Sequence, residues 1–145
     1  MKNFGGQWTF DKIEIFIKYV KAYLEIMKDR PYWKLIYFDG FAGSGEIIQS
    51  EKDELTLFEG MAKRVLQVNE PKSFDIYYFV DKSEKNTKKL NLTIEKDFAN
   101  KTHSIFVVND DCNTKLIDLA NFLRKPENKK FKVLAFIDPY GMQVK

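Results

Sequence analysis

The sequence is poor in sulfur and imidazole. It holds one cysteine, Cys112, and one histidine, His103. A lone cysteine excludes an internal disulfide. A lone histidine with no second His or Cys at ligand spacing leaves no metal motif. Long apolar runs are also missing. No stretch approaches the roughly 18 residues that a membrane-spanning helix needs, and "MKNFGGQWTFDK" has no apolar run of the signal type. A soluble, cytoplasmic chain with no membrane contact is the expectation. Charge of one sign is scarce as well: 24 Lys and Arg face 21 Asp and Glu, a net of +3. The densest basic stretches, "DKSEKNTKK" and "RKPENKK", are diluted by acids and read as solvated helix faces and loops. The mild excess admits nucleic acid as a partner and does not select it.

What is present suits one globular domain. The 145 residues are 44% hydrophobic and 31% charged, enough for a core without disulfides or metals. Thirteen Phe and seven Tyr make that core rich in rings. From Thr9 to about Lys28, Ile13, Phe16, Ile17, Val20, Leu24 and Met27 recur at helical spacing, with Thr9 or Asp11 as the expected cap. Pro31 ends that segment. Four apolar, aromatic and β-branched runs then read as strands: "KLIYFD", "FDIYYFVD", "HSIFVVNDD" and "FKVLAFIDPYG". Amphipathic helical stretches separate them, around Leu57–Leu66, Glu84–Phe98 and Leu116–Leu123. Strand and helix alternate, and no Asn-Gly hairpin signal intervenes. That pattern predicts right-handed crossovers and a parallel α/β sheet.

Each predicted strand ends on acid: Asp39, Asp81, Asp110 with Asp111, and Asp138. One such acid is ordinary turn or cap chemistry. Four fall together at the carboxyl edge of an open parallel sheet, where ligands bind. After Asp39 comes a side-chain-poor turn, Gly40, Gly43 and Gly45, which lets a ligand approach the backbone. The spacing is G-x-x-G-x-G. It matches neither the dinucleotide fingerprint nor a P-loop, which needs a Lys-Ser/Thr ending. Fixed carboxylates would repel a pyrophosphate. They suit a ligand with a cationic end and hydroxyls, such as S-adenosylmethionine (SAM).

The motifs carry a resemblance. "DGFAGSGE" resembles the first motif of class I SAM-dependent methyltransferases. "FVDKS", "NDD" and "IDPYG" resemble the ribose-binding acid, the adenine-facing acid and the D/N-P-P-Y/F motif of the amino-methyltransferases. The order of Trp8, Lys12, "YFDGFAGSG" and "IDPYG" is similar to that of the three-Cys-motif partner family. The resemblance implies a Rossmann-like class I methyltransferase sheet, order 3-2-1-4. It implies SAM as cofactor, held by Asp39, Phe41, Gly43, Gly45, Asp81, Asp110 and Asp111. Asp138, Pro139 and Tyr140 would be the catalytic set. It also implies a partner protein of the radical-SAM-like, three-cysteine kind. The acceptor would be an amine or amide nitrogen of a nucleic-acid base or a protein. "DPYG" also has the residues of a plain β-turn, and Cys112 reads as a small buried apolar residue.

A complete fold of that class has more strands than the four found here. The expectation is a single domain over 1–145, with a helical extension over 1–34 and a cofactor-binding half over 35–145. The sheet is expected to stop after strand 4, as in a shortened chain. Its exposed edge could then pair with a partner or a second copy, which opens a non-enzymatic reading: an interaction module on a retained methyltransferase-like fold.

Overall fold

The structure, a computed structural model, describes residues 4–41 and 61–137; side chains at 4–10, 12, 41 and 137 lie outside the description. The chain divides into two compact units, Met1–Pro31 with Gly45–Ser73, and Tyr32–Ser44 with Phe74–Lys145.

In the first unit, helix α1 spans Phe4–Met27. Its expected stripe is buried at Ile13, Ile17, Val20, Leu24 and Met27, while Phe16 is half-buried. The helix begins before Thr9 and Asp11, so neither residue is its cap. The low intrinsic propensity of Gly5 and Gly6 does not stop it, and nothing in the structure explains why. Helix α2 is described over 61–66 and buries Met61, Ala62, Val65 and Leu66. Arg64 of α2 donates to the Glu14 carboxylate of α1. That hydrogen bond, together with the guanidinium charge, holds the Glu14 carboxyl below its ordinary range.

The second unit is an α/β sheet. Strands β1 (Lys34–Phe41), β2 (Ile76–Asp81), β3 (Ile105–Asn109) and β4 (Phe131–Ile137) are all parallel, in the order β3-β2-β1-β4. The parallel sheet is the one expected from the alternation of elements, and its Rossmann-like order is the one that the resemblance implies. The central strand β1 is buried from Leu35 to Gly40 on both faces, as its unbroken apolar run requires. Helix α3 (Glu84–Asp97) links β2 to β3, and α4 (Cys112–Arg124) links β3 to β4. The two connections run across the sheet in opposite directions. Right-handed crossovers therefore place the two helices on opposite faces.

Register assigns side chains to those faces. Tyr37, Asp39, Tyr77, Phe79 and Asp81 share one face. The Tyr37 and Phe79 rings meet edge-on at 5.8 Å, and Tyr77 stacks on Phe79 at 6.5 Å. Each such pair adds about 0.5–1.5 kcal/mol beyond its buried area. Phe38 and Val80 point to the other face and form a core with Cys112 at the start of α4. Around it pack Tyr78, Val108, Leu116, Leu119 and Val133, all partly exposed. That face is less fully covered than the expected pattern suggests, with Phe106 of β3 49% exposed; Ile117, expected on the apolar side of α4, is 62% exposed. Among the described residues no helix is long and apolar enough to cross a membrane.

Burial, followed by the charges of Asp111 and Asp39, pushes the Cys112 thiol from 9.0 up to about 11. The raised value favours the neutral thiol in the folded state. Its contribution is complete below the unfolded pKa, near 8.5, and disappears as pH rises through about 11; at most it amounts to roughly 3 kcal/mol. The stability advantage of the native chain over Cys112→Ala should therefore narrow between pH 8.5 and 11. Urea unfolding across that range measures it, and a constant difference would show that the thiol is not held neutral.

Candidate functional site

Parallel strands deliver all their carboxyl ends to one edge. At that edge β1 ends beyond Asp39 and Gly40, β2 ends on Asp81, and β3 ends on Asn109, with Asp110 and Asp111 following. Register aligns Phe41 with Asp81 and Asp81 with Asn109. Asp39, Asp81, Asp110 and Asp111 are thus brought to one rim, as the sequence leads one to expect. Gly43, Gly45, Asp138, Pro139 and Tyr140 lie outside the described residues, as do the side chains of Phe41, Trp8 and Lys12.

The four acids occupy different environments. Asp39 is buried, 1% exposed, and accepts from the Tyr37 hydroxyl at 3.0 Å through Oδ2. Burial, the Asp39 charge and this hydrogen bond hold the Tyr37 phenol well above its ordinary pKa, so it remains a donor. Asp81 is equally buried. Its Oδ1 accepts from the Ser83 amide at 2.8 Å and its Oδ2 from Asn86 Nδ2 at 2.9 Å. Ser83 in turn caps α3 by accepting from the Asn86 amide at 3.1 Å. The Asp81 carbonyl accepts from the Asp110 amide and from Asn109 Nδ2, each at 3.1 Å. Asp81 therefore fastens the end of β2 to the start of α3 and the end of β3.

The last two acids are more open. Asp111 is the N-cap of α4, its Oδ2 accepting from the Thr114 amide at 3.1 Å. Asp110 accepts from the Asp111 amide at 2.6 Å through Oδ1 and has a side chain 44% exposed. Lys115 Nζ stands 3.7 Å from Asp110 Oδ2 and 3.5 Å from Asp118. Its ammonium is held above its ordinary pKa, first by Tyr78 and then by these carboxylates. Among the described residues, no group of three or more His, Cys, Asp or Glu converges as a metal site.

Sequence reasoning missed Ser83, Asn86 and Asn109, which hold the rim in place. The signal was present in "DKSEKN": a capping residue followed three positions later by an amide that can reach back past it. A cavity of about 360 Å³ on the other face, lined by Phe38, Tyr78, Phe106, Lys115, Leu119 and Phe122 among others, contains none of the expected site residues. Comparison with family models, with curated proteins and with solved structures gave no match.

Removing a buried carboxylate that serves two donors strands both of them. Asp81→Ala should destabilise the chain by about 3 kcal/mol, against about 1 kcal/mol for the capping variant Asp111→Ala. Urea denaturation tests the order; equal losses would mean that Asp81 does not fasten the rim.

Proposed function

We propose that this chain is the cofactor-binding half of a SAM-dependent methyltransferase of the three-Cys-motif partner type, working in the cytoplasm. The observation that carries the reading is the convergence of Asp39, Asp81, Asp110 and Asp111 on the carboxyl edge of a 3-2-1-4 parallel sheet. The chemistry of these residues fits the ligand. They are acceptors, and SAM presents a sulfonium, an ammonium, a ribose diol and an adenine amine. Asp110 is open to solvent, and Asp111 is part-exposed with Oδ2 on the helix cap. Asp39 and Asp81 shape the rim from beneath. Each carboxylate oxygen has two lone pairs, so the bonds from Ser83 and Asn86 do not by themselves exhaust the acceptor capacity of Asp81.

When bound, SAM supplies an electrophilic methyl group. The protein's part is to bind, align and exclude water. The side-chain-poor turn at Gly43 and Gly45 would let the backbone approach the cofactor, with Phe41 against it. Asp138 and the carbonyl of Pro139 would accept hydrogen bonds from the acceptor amine, localising its lone pair. Tyr140 would stack on a planar acceptor such as a base. The acceptor class is an amine or amide nitrogen in a nucleic-acid base or a protein.

A second reading is favoured by one observation: both oxygens of the buried Asp81 already serve Ser83 and Asn86. That suits an interaction module in which the methyltransferase-like fold is kept as a scaffold. The described sheet has β4 at one edge, a place for a radical-SAM-like partner or a second copy to dock.

Calorimetry separates the two. The methyltransferase reading expects heat with SAM and with S-adenosylhomocysteine, abolished by Gly43→Val and weakened about tenfold by Asp110→Ala, the loss of one hydrogen bond to a charged group. No heat from the folded chain, with partner capture unchanged in Gly43→Val, would favour the module instead.

A further inference from the structure

The acidic rim has a counterpart at the opposite end of the same sheet. There β1 and β4 begin side by side. Lys34 is in register with Phe131 and Leu35 with Lys132, and the Lys34 amide donates to the Lys130 carbonyl at 2.8 Å. The 3-10 turn Pro126–Asn128 leads the end of α4 to the same corner. Lys34, Arg124, Lys125, Lys129, Lys130 and Lys132 gather there, all exposed. Within segments 32–35, 75–76 and 124–132 the opposing charges are Asp75 and Glu127. Asp75 is directed to the backbone, accepting from the Leu35 amide at 2.7 Å. Among the described residues none of the six cations is ion-paired. In the sequence this concentration was hidden, because "RKPENKK" reads as diluted and Lys34 lies some ninety residues away.

Aromatic rings are interleaved with the charges. Tyr32, just before β1, is 67% exposed and lies 5.5 Å from the Trp33 ring. Lys132 Nζ stands 4.4 Å over Trp33, and Lys130 Nζ 5.6 Å over Phe131. Cations held over rings beside an open ring make a surface for a polyanion that also carries flat apolar groups. Arg124 has a second reason for its place, since a cation in the last turn complements the helix dipole. Register turns Lys34 to the face opposite Lys132, so the weight rests on Lys130, Lys132 and Tyr32. A duplex would offer phosphates to the lysines but no free base face to Tyr32.

We infer that this corner binds single-stranded nucleic acid, with the lysines on phosphates and Tyr32 stacking an unpaired base. The inference is independent of the methyltransferase reading, because the surface lies at the other end of the strands and requires no cofactor. Neutralising phosphates releases counterions, so affinity should fall with salt. A stacked base is worth about 1–3 kcal/mol, roughly 5- to 150-fold in affinity.

Fluorescence anisotropy with the full chain and a labelled mixed-sequence single strand tests this, with the matching duplex and phosphatidylserine vesicles as parallel arms. The expected result is salt-sensitive binding to the single strand. The double variant Lys130→Glu with Lys132→Glu should weaken it at least tenfold, and Tyr32→Ala about tenfold, with duplex binding unchanged by Tyr32→Ala. Lys85→Glu, an exposed change in α3, should leave binding intact, and circular dichroism checks that each variant is folded. The inference is overturned by no binding at low salt. It is equally overturned if duplex or vesicles bind as well as the single strand, or if the folded Tyr32 and lysine variants bind like the native chain.

Discussion

The buried carboxylate of Asp81 is the constraint on which the rim depends. A parallel sheet has no hairpins to hold its strand ends together, so each end must be fixed through the connection that leaves it. Asp81 does this for two connections at once. Its side chain holds the turn into α3 through Ser83 and Asn86, and its carbonyl holds the turn after β3 through Asn109 and Asp110. With those turns fixed, α4 can begin at Cys112 directly beneath Phe38 and Val80. Loss of that anchor would free the geometry of the acidic edge before it reached the hydrophobic core.

The sheet is also polarised. Its carboxyl edge gathers Asp39, Asp81, Asp110 and Asp111, while the amino edge at β1 and β4 gathers lysines and arginine. A net charge of +3 conceals this separation, because the opposite excesses nearly cancel over the whole chain. Two ligand classes of opposite sign can therefore be served by one small sheet without competing for the same surface. Cationic or hydrogen-bond-donating groups suit one end and polyanions the other.

Much of the fold was legible in the sequence. The β1 run "LIYFD" is buried on both faces, and the alternation of runs with amphipathic helices fixes a parallel order. The helical stripe of Ile13, Ile17, Val20 and Leu24 was equally plain. Helix starts were harder. α1 begins at Phe4, upstream of the capping signals at Thr9 and Asp11. The site was legible as a set of acids but not as a division of labour. Cap chemistry at Asp111 and the turn in "DKSEKN" carry a local signal, but nothing in the spacing tells which acid takes which role, or that Asp39 meets the Tyr37 hydroxyl. The side-chain contacts themselves are local, two to five residues along the chain, whereas the Asp81 carbonyl contacts and the basic corner joining Lys34 to residues 124–132 come from long-range pairing.

The most direct measurement is an amide NMR titration of the folded chain with S-adenosylhomocysteine. If the carboxyl edge receives the cofactor, shifts appear at Gly40, at Asp81 to Ser83 and at Asp110 and Asp111, and spare the amino edge of the sheet. Shifts confined to the apolar cavity around Tyr78, Phe106 and Phe122, or a spectrum unchanged by excess ligand, would contradict a cofactor site on the acidic rim.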